Sequence, residues 1–441
     1  MIKRLLFYNF RFIFIVDRWI RRHFTKAGLL ILVGLIAASI FGVDIRQTNA
    51  YQLVALFAVL LLLATLTSYF FYLHLTVKRV LPRFATVGEN LTYQIKIHNH
   101  SKKLEKNLLI LEDVKPKLPS FQTFLQAKEP NQGNWFDNYV GYPRWVWLTH
   151  LSKGIATTIT PLPHLMPQAM TEVAITLTPL RRGHVHFTHM TFARPDPFGL
   201  FYSLYHIDLS NNLLVLPKRY SLPTIHLSGS RKYQRGGVQL AMSVGDAQEF
   251  VSLREYRPGD PFKHIHWKSW AKIGKPVVKE FQDEFFVRHA LILDTFTQSA
   301  GQLFEAAVSV AASFVSAPRS QEVLLNLMLV GSQAYCFTSG RGITPTDNLL
   351  EILACIDACT DKSFTYLYSL VTEHATALSG VIVILLDWDE ERRELIRLLK
   401  NNAIPMLVIL VTTQSIDIET AFVHEIKIVH LDSLEQDLMN L

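Results

Sequence analysis

The sequence predicts an N-terminal two-helix transmembrane hairpin, then an antiparallel β-sandwich, then a C-terminal doubly wound α/β domain. Three observations carry this. Two uncharged apolar runs lie close together near the N-terminus. Short strands of period two, punctuated by Pro and Gly, follow them. Continuous apolar strands then alternate with helical stretches to the C-terminus, the pattern of a parallel sheet covered on both faces.

The chain has 441 residues, enough for two or three domains, and 49% of them are apolar, high for a purely soluble protein. Ala27–Val43 is long enough to cross a hydrocarbon core, and Ala50–Leu75 is longer still. Together they make 27–75 a hairpin. A cleaved signal peptide needs one brief apolar run and a small-residue cleavage site, whereas here a second and longer run follows. Lys3, Arg4, Arg11, Arg18, Arg21, Arg22 and Lys26 precede the hairpin; Lys78, Arg79 and Arg83 follow it; only Arg46 lies in its turn. The positive-inside rule therefore puts both termini in the cytoplasm, with the chain crossing the membrane twice.

The formal net charge of +7 belongs to that membrane edge. Taking the seven Lys/Arg and the single Asp of residues 1–26 from the totals of 44 and 37 leaves 37 basic against 36 acidic residues. A folded part so nearly balanced disfavours a role with nucleic acid. Three cysteines, Cys336, Cys355 and Cys359, are too few for a disulfide framework and fit a reducing compartment. Cys355 and Cys359 fall four apart on an expected helix and read as small buried hydrophobes rather than half a metal site.

Residues 1–26 mix apolar side chains with interposed Arg and Lys, as in a helix lying along the inner membrane surface or a basic flank with little structure. The sandwich is expected over 78–216. Leu91, Tyr93, Ile95 and Ile97 alternate with polar residues, and further strands fall at Asn107–Leu111, Thr171–Thr178 and His184–Phe192. Lys117–Pro167, with Trp135, Trp145 and Trp147, reads as a long insertion whose aromatics serve recognition or cover the core. Asp196-Pro197-Phe198-Gly199 reads as an architectural turn pinned by Phe198 and Phe201.

A linker and the most chemically committed stretch of the chain occupy 217–288. From Glu249 to Glu280 it holds Arg254, Tyr256, Arg257, Pro258, Gly259, Asp260, His264, His266, Trp267 and Lys268. Pro258-Gly259 marks a tight turn, and Arg254 and Arg257 suit pairing with carboxylates. His264 and His266 fall on one face of an expected strand without a third ligand at fixed spacing, which favours a hydrogen-bonded network over a metal pair.

The α/β domain is expected over 289–441. Strands fall at Ala290–Leu293, Glu322–Val330, Ala334–Phe337, Val381–Leu386, Ile404–Val411 and Ile426–Val429, with helices at Gly301–Val315, Asp347–Cys359 and Glu390–Leu399. Two strand ends carry Asp294 and Asp387. Two readings stand for them: a shared hard cation such as magnesium, or caps for the following helices. The nucleotide, hydrolase and zinc-protease motifs with a local signature are absent.

The run E-F-x-x-L-R-E-Y-x-P-G-D-x-x-x-x-I-x-W-K-x-x-A-K from Glu249 to Lys272, followed by Lys279-Glu280-Phe281 and preceded by the hairpin and the DPFG turn, closely resembles the bacterial domain of unknown function 58 proteins. The resemblance implies a von Willebrand factor A-like C-terminal half and association with MoxR-type AAA+ ATPases that assemble or activate other proteins. In A-type modules a strand-end D-x-S-x-S binds magnesium with a later Thr and Asp. Here Asp294 is followed by Thr295-Phe296-Thr297-Gln298-Ser299, so Phe296 and Gln298 take both hydroxyl positions and remove oxygen ligands; Thr344 or Thr346 and Asp387 would be the partners.

The expected function is a non-catalytic inner-membrane scaffold or adaptor working with such an ATPase, with no cofactor and an unspecified client. The rival readings are a metal-dependent hydrolase using Asp294, Asp387 and the histidines of the central stretch, His264 and His266, and a cell-envelope assembly factor that needs no ATPase. The signature at 249–280 is either a docking surface or a structural clasp, and the apolar surfaces of Tyr256, Trp267 and Trp270 favour the clasp.

Overall fold

The computed structural model describes residues 2–41, 48–114, 119, 121–126, 141–223, 248–260, 262–283, 287–297, 301–318, 323–340, 346–413 and 426–441. The chain divides into two compact units, Met1–Lys218 and Arg219–Leu441.

The first unit begins with three helices, α1 (Ile2–His23), α2 (Lys26–Phe41) and α3 (Thr48–Tyr69). Within α3, Tyr51–Tyr69 is long and apolar enough to cross a membrane, judged by length and composition. Lys26–Ile40 is a shorter apolar helix. The expected second run ends sooner than Leu75, because Leu75 already opens a strand, β1 (Leu75–Val80). α1 is a full helix with two apolar faces. Phe7 and Phe10 are buried, while Phe12 and Trp19 are more than half exposed.

After β1 come β2 (Phe84–Thr86), β3 (Leu91–Asn99), β4 (Leu109–Val114), α4 (Phe121–Gln126) and α5 (Tyr142–Lys153). The remaining strands are β5 (Ile155–Thr157), β6 (Thr160–Pro161), β7 (Met170–Pro179), β8 (Gly183–Pro195) and β9 (Tyr202–Leu216). They form two sheets, ordered β1-β3-β7-β5 and β2-β9-β8-β4-β6, antiparallel throughout except for the short β2–β9 pairing. Period-two burial explains their packing. Tyr93, Ile95 and Ile97 of one sheet meet Phe187, Phe192 and Leu213 of the other in a shared core. The 15-residue strand β9 is not among the strands expected from the sequence, although Tyr205, Ile207 and Leu209 alternate with His206, Asp208 and Ser210 in the period-two pattern.

Two corrections follow in this unit. Arg79, counted above among cations flanking the hairpin, is inside the sandwich, where it forks onto Glu112 through Nε at 3.0 Å and Nη2 at 2.6 Å. Its other amino group donates to Leu209 O and Asn211 Oδ1, and Phe187 lies under the guanidinium at 4.5 Å. Burial, reinforced by Glu112, drives the pKa of Tyr93, which donates to the same carboxylate, far upward. The insertion at 117–167 is also not merely a loop. Its Trp145 is fully buried in α5 against Phe7 and Phe124, so this aromatic covers core; Trp135 lies outside the described residues.

The second unit opens with a separate antiparallel pair, β10 (Gln248–Glu255) and β11 (Val277–Asp283), which encloses a 3-10 turn (Phe262–His264) and helix α6 (Trp267–Ile273). Then follow β12 (Val287–Leu293), α7 (Gln302–Ser316), β13 (Val323–Val330), β14 (Ala334–Ser339), α8 (Thr346–Cys355) and α9 (Thr365–His374). β15 (Gly380–Leu385), α10 (Glu390–Asn401), β16 (Met406–Thr412), β17 (Ile426–His430) and α11 (Leu434–Met439) complete it.

The main sheet runs β14-β13-β12-β15-β16-β17, parallel except for the antiparallel edge strand β14. Its central strands are buried on both faces, as their unbroken apolar runs require. The expected helix to Cys359 stops at Cys355, and Cys359 instead makes an isolated parallel bridge with Phe296. Cys355 is exposed and Cys359 buried, so the four-residue spacing does not share one helical face.

Candidate functional site

The signature turn is held by one carboxylate. Asp260 accepts from Arg254 Nη1 and Nη2, each at 2.7 Å, and its Oδ2 also accepts from the Arg257 amide at 2.9 Å. Arg257 O in return accepts from the Asp260 amide at 3.0 Å. Gly259 between them has φ +106, a conformation L side chains rarely adopt, so Pro258-Gly259 makes the tight turn its sequence predicts. The side-chain hydrogen bond of Arg254, and then the Arg257 amide, lower the Asp260 pKa to about 2.

His264 and His266 are not on a strand. His264 ends the 3-10 turn, and His266 precedes α6 with Nδ1 2.6 Å from Ser269 Oγ. The i, i+2 alternation behind the expected pairing therefore does not apply. Ile265, Val277 and Val278 are buried beneath this segment and Ile265 bridges Val278. Gly274, in the left-handed conformation, closes α6 with its amide on Trp270 O at 2.9 Å.

The rest of the signature faces outward. Trp267 stacks on Trp270 with centroids 5.2 Å apart yet is 64% exposed. Phe262, stacked on Tyr256, is 72% exposed and Ile273 is 61% exposed. Lys263, Lys268 and Lys272 are exposed among them. Trp267 is thus no buried anchor: Arg254 and Asp260 hold the turn, while Trp267 and Lys268 are exposed.

The strand-end carboxylates have a different arrangement. Asp294, fully buried after β12, accepts from the Phe296 amide at 2.9 Å, the Leu386 amide at 3.2 Å and Arg392 Nε at 2.6 Å. Arg392 also pairs with Asp389, donates from Nη2 to Phe296 O at 3.2 Å, and stands 4.9 Å over the Phe364 ring. Asp389 caps α10 by accepting from the Arg392 amide at 3.0 Å, and Asp387 accepts from its neighbour Trp388 N at 2.7 Å. Burial raises the Asp294 pKa against the pull of Arg392 and the two amides. Burial opposes the charge of Arg392, but Asp294, then Asp389 and Asp387, outweigh it and raise its pKa.

These residues do not fit a magnesium site. The guanidinium of Arg392 holds one oxygen of Asp294 and a backbone amide the other, and Phe296 packs on the apolar core where a hydroxyl ligand is needed. Among the described residues no three His, Cys, Asp or Glu side chains gather as a metal would require. Gln298, Ser299 and Thr344 lie outside the described residues, and Thr346 opens α8. Arg392 is not singled out by the sequence: it falls within the helix expected at Glu390–Leu399, and its partner Asp294 lies 98 positions away.

No family model matches the chain. A stretch of 177 residues is 27% identical to a Bacillus subtilis (strain 168) protein described as "Uncharacterized protein YeaD", covering 39% of this chain and 42% of the relative. The match thus spans less than half of that relative's length.

Proposed function

We propose that this is a non-catalytic inner-membrane adaptor of the domain of unknown function 58 type, on whose signature face a MoxR-type AAA+ ATPase docks. The helix Tyr51–Tyr69 and the apolar Lys26–Ile40 form a two-pass hairpin with both termini in the cytoplasm. The second unit is a von Willebrand factor A-like domain whose metal position is filled by the protein's own arginine.

One observation carries the docking reading: the outward display of Trp267, Phe262 and Ile273 among lysines on a turn that Arg254 and Asp260 hold rigid. Exposed aromatics ringed by charge are costly to solvate and suit the centre of a protein interface, where Trp is a frequent hot spot. The sequestration of Asp294 by Arg392 supports the absence of metal-dependent chemistry at the strand ends.

The test is capture of the ATPase, trapped with a non-hydrolysable nucleotide, on the full-length protein in detergent. The expected result is recovery by the parent protein and loss of recovery with Trp267→Ala or Lys268→Glu, both of which keep the parent's unfolding temperature. No recovery by the well-folded parent, or equal recovery by both variants, refutes the reading.

A further inference from the structure

We propose that α1 lies in the headgroup–acyl boundary of the membrane with its outward face in lipid, and so holds the sandwich at the bilayer surface. The two apolar faces of α1 do different work. The inward face is closed by its own unit: Phe7 meets Trp145 edge-on at 4.8 Å and Phe10 meets Tyr142 at 5.4 Å, in a cluster with Phe124 and Leu148. The outward face is Tyr8, Phe12, Ile15 and Trp19, spaced at i, i+4, i+7 and i+11, and each is more than half exposed. Helical periodicity puts these four on one stripe, turned away from Phe7 and Phe10. Asp17, the one acidic residue of α1, keeps off the stripe: it pairs with Arg21 at 2.8 Å and lines a cavity against the sandwich.

What adjoins the stripe identifies lipid as its cover. Only Phe24 and Thr25 separate α1 from the apolar α2. Trp19 meets Phe24 at 6.1 Å, and Phe24 meets Phe201 at 5.2 Å. Phe201 in turn shares a cluster with Ile31 of α2 and with Leu60 and Ala64 of α3, inside the span Tyr51–Tyr69. The stripe therefore runs without a break into the helices of the hairpin, where Leu30, Val33, Val59 and Leu62 are also exposed. Its composition agrees. Tyr8 and Trp19, rings with one polar atom, stand at its two ends, and Phe12 and Ile15 lie between them, the make-up of a helix at a membrane–water interface. Such a helix sinks its apolar face roughly 5–10 Å into the boundary. Because Phe7 and Phe10 fasten α1 to the sandwich, that depth places the sandwich beside the bilayer rather than on a tether.

The inference rests on the hairpin of the proposed function and is independent of ATPase docking. Trp19 is the only one of the seven tryptophans before residue 135, so the emission lost in Trp19→Phe reports the stripe. The experiment places the full-length protein in phosphatidylcholine vesicles brominated on the acyl chain, either near the headgroup or near the terminal methyl. Trp19 emission should be quenched, and more strongly by the bromine near the headgroup. Val59→Trp, made in the Trp19→Phe protein at an exposed position of the span, reports the hairpin and should be quenched more strongly by the deep bromine. Unquenched Trp19 beside a quenched Val59→Trp reporter overturns the proposal and leaves the hairpin standing. Stronger quenching of Trp19 by the deep bromine also overturns it, because α1 then lies in the hydrocarbon core. If neither reporter is quenched, the hairpin reading fails and the proposal with it. A disulfide-linked dimer of Tyr8→Cys together with unquenched Trp19 reassigns the stripe to a second copy of this chain and overturns the lipid cover.

Discussion

Arg392 donates from Nε to Asp294 Oδ2 at 2.6 Å, joining the third residue of α10 to the buried residue that follows β12, across 98 positions of sequence. The side chains are 6% and 0% exposed, so the guanidinium is effectively the cation of this sheet end.

Removing that cation should be costly. Arg392→Ala leaves the Asp294 carboxylate buried without its countercharge, and the expected loss is about 3–5 kcal/mol in guanidinium-chloride unfolding. Asp294→Asn combined with Arg392→Leu should recover most of it, because no unpaired charge then remains. Magnesium should leave the parent protein's unfolding temperature unchanged; a rise would restore the metal reading.

Asp260 should titrate anomalously. Its folded pKa is about 2, below the ordinary value of about 3.9. A depressed carboxylate stabilises its turn fully above the unfolded value and loses that contribution as pH falls through the folded one. Carboxyl carbon NMR should therefore show a midpoint near pH 2 for Asp260. Arg254→Ala should move it upward, and an unmoved midpoint would remove Arg254 as the principal cause.

The Arg79–Glu112 fork should behave as a unit. Glu112→Ala strands a fully buried arginine and should destabilise the sandwich by about 3–5 kcal/mol. Arg79→Lys should also be damaging, because an ammonium cannot fork onto Glu112 while still reaching Leu209 O and Asn211. Thermal unfolding of both variants, compared with the exposed Lys78→Ala as a control, checks this.

Gly28 should tolerate no side chain. A Cβ there would stand 1.9 Å from Leu200 O, a backbone atom that Thr25 N already holds at 3.1 Å. Gly28→Ala should cost about 1–3 kcal/mol by overpacking and expose the turn at Asp196–Phe201 to protease. Gly34→Ala meets only the Phe57 ring, at 2.9 Å, and should be milder because a side chain can swing away.

The DPFG turn shows how much of a site was legible. Asp196 holds the amides of Phe198, Leu200 and Phe201, as an Asx-type turn residue should. Of the two phenylalanines expected to pin it, Phe201 is buried and Phe198 is 48% exposed. Its docking onto Thr25, whose hydroxyl donates to Gly199 O at 2.6 Å, spans 174 positions and leaves no local pattern.

By itself the sequence determined what local chemistry controls. Apolar run length marked a helix able to cross a membrane, period-two alternation marked β3 and β7, unbroken apolar runs marked the parallel strands, and Pro258-Gly259 with Asp260 marked the turn. The tertiary structure decided which charged groups meet. Arg79 changed from a membrane-edge cation to a core residue, Arg392 took the cation position beside Asp294, and Trp267 faced solvent rather than core. The reason is physical: a charge or an aromatic ring is assigned its role by partners brought together through packing, and those partners lie far away in the chain.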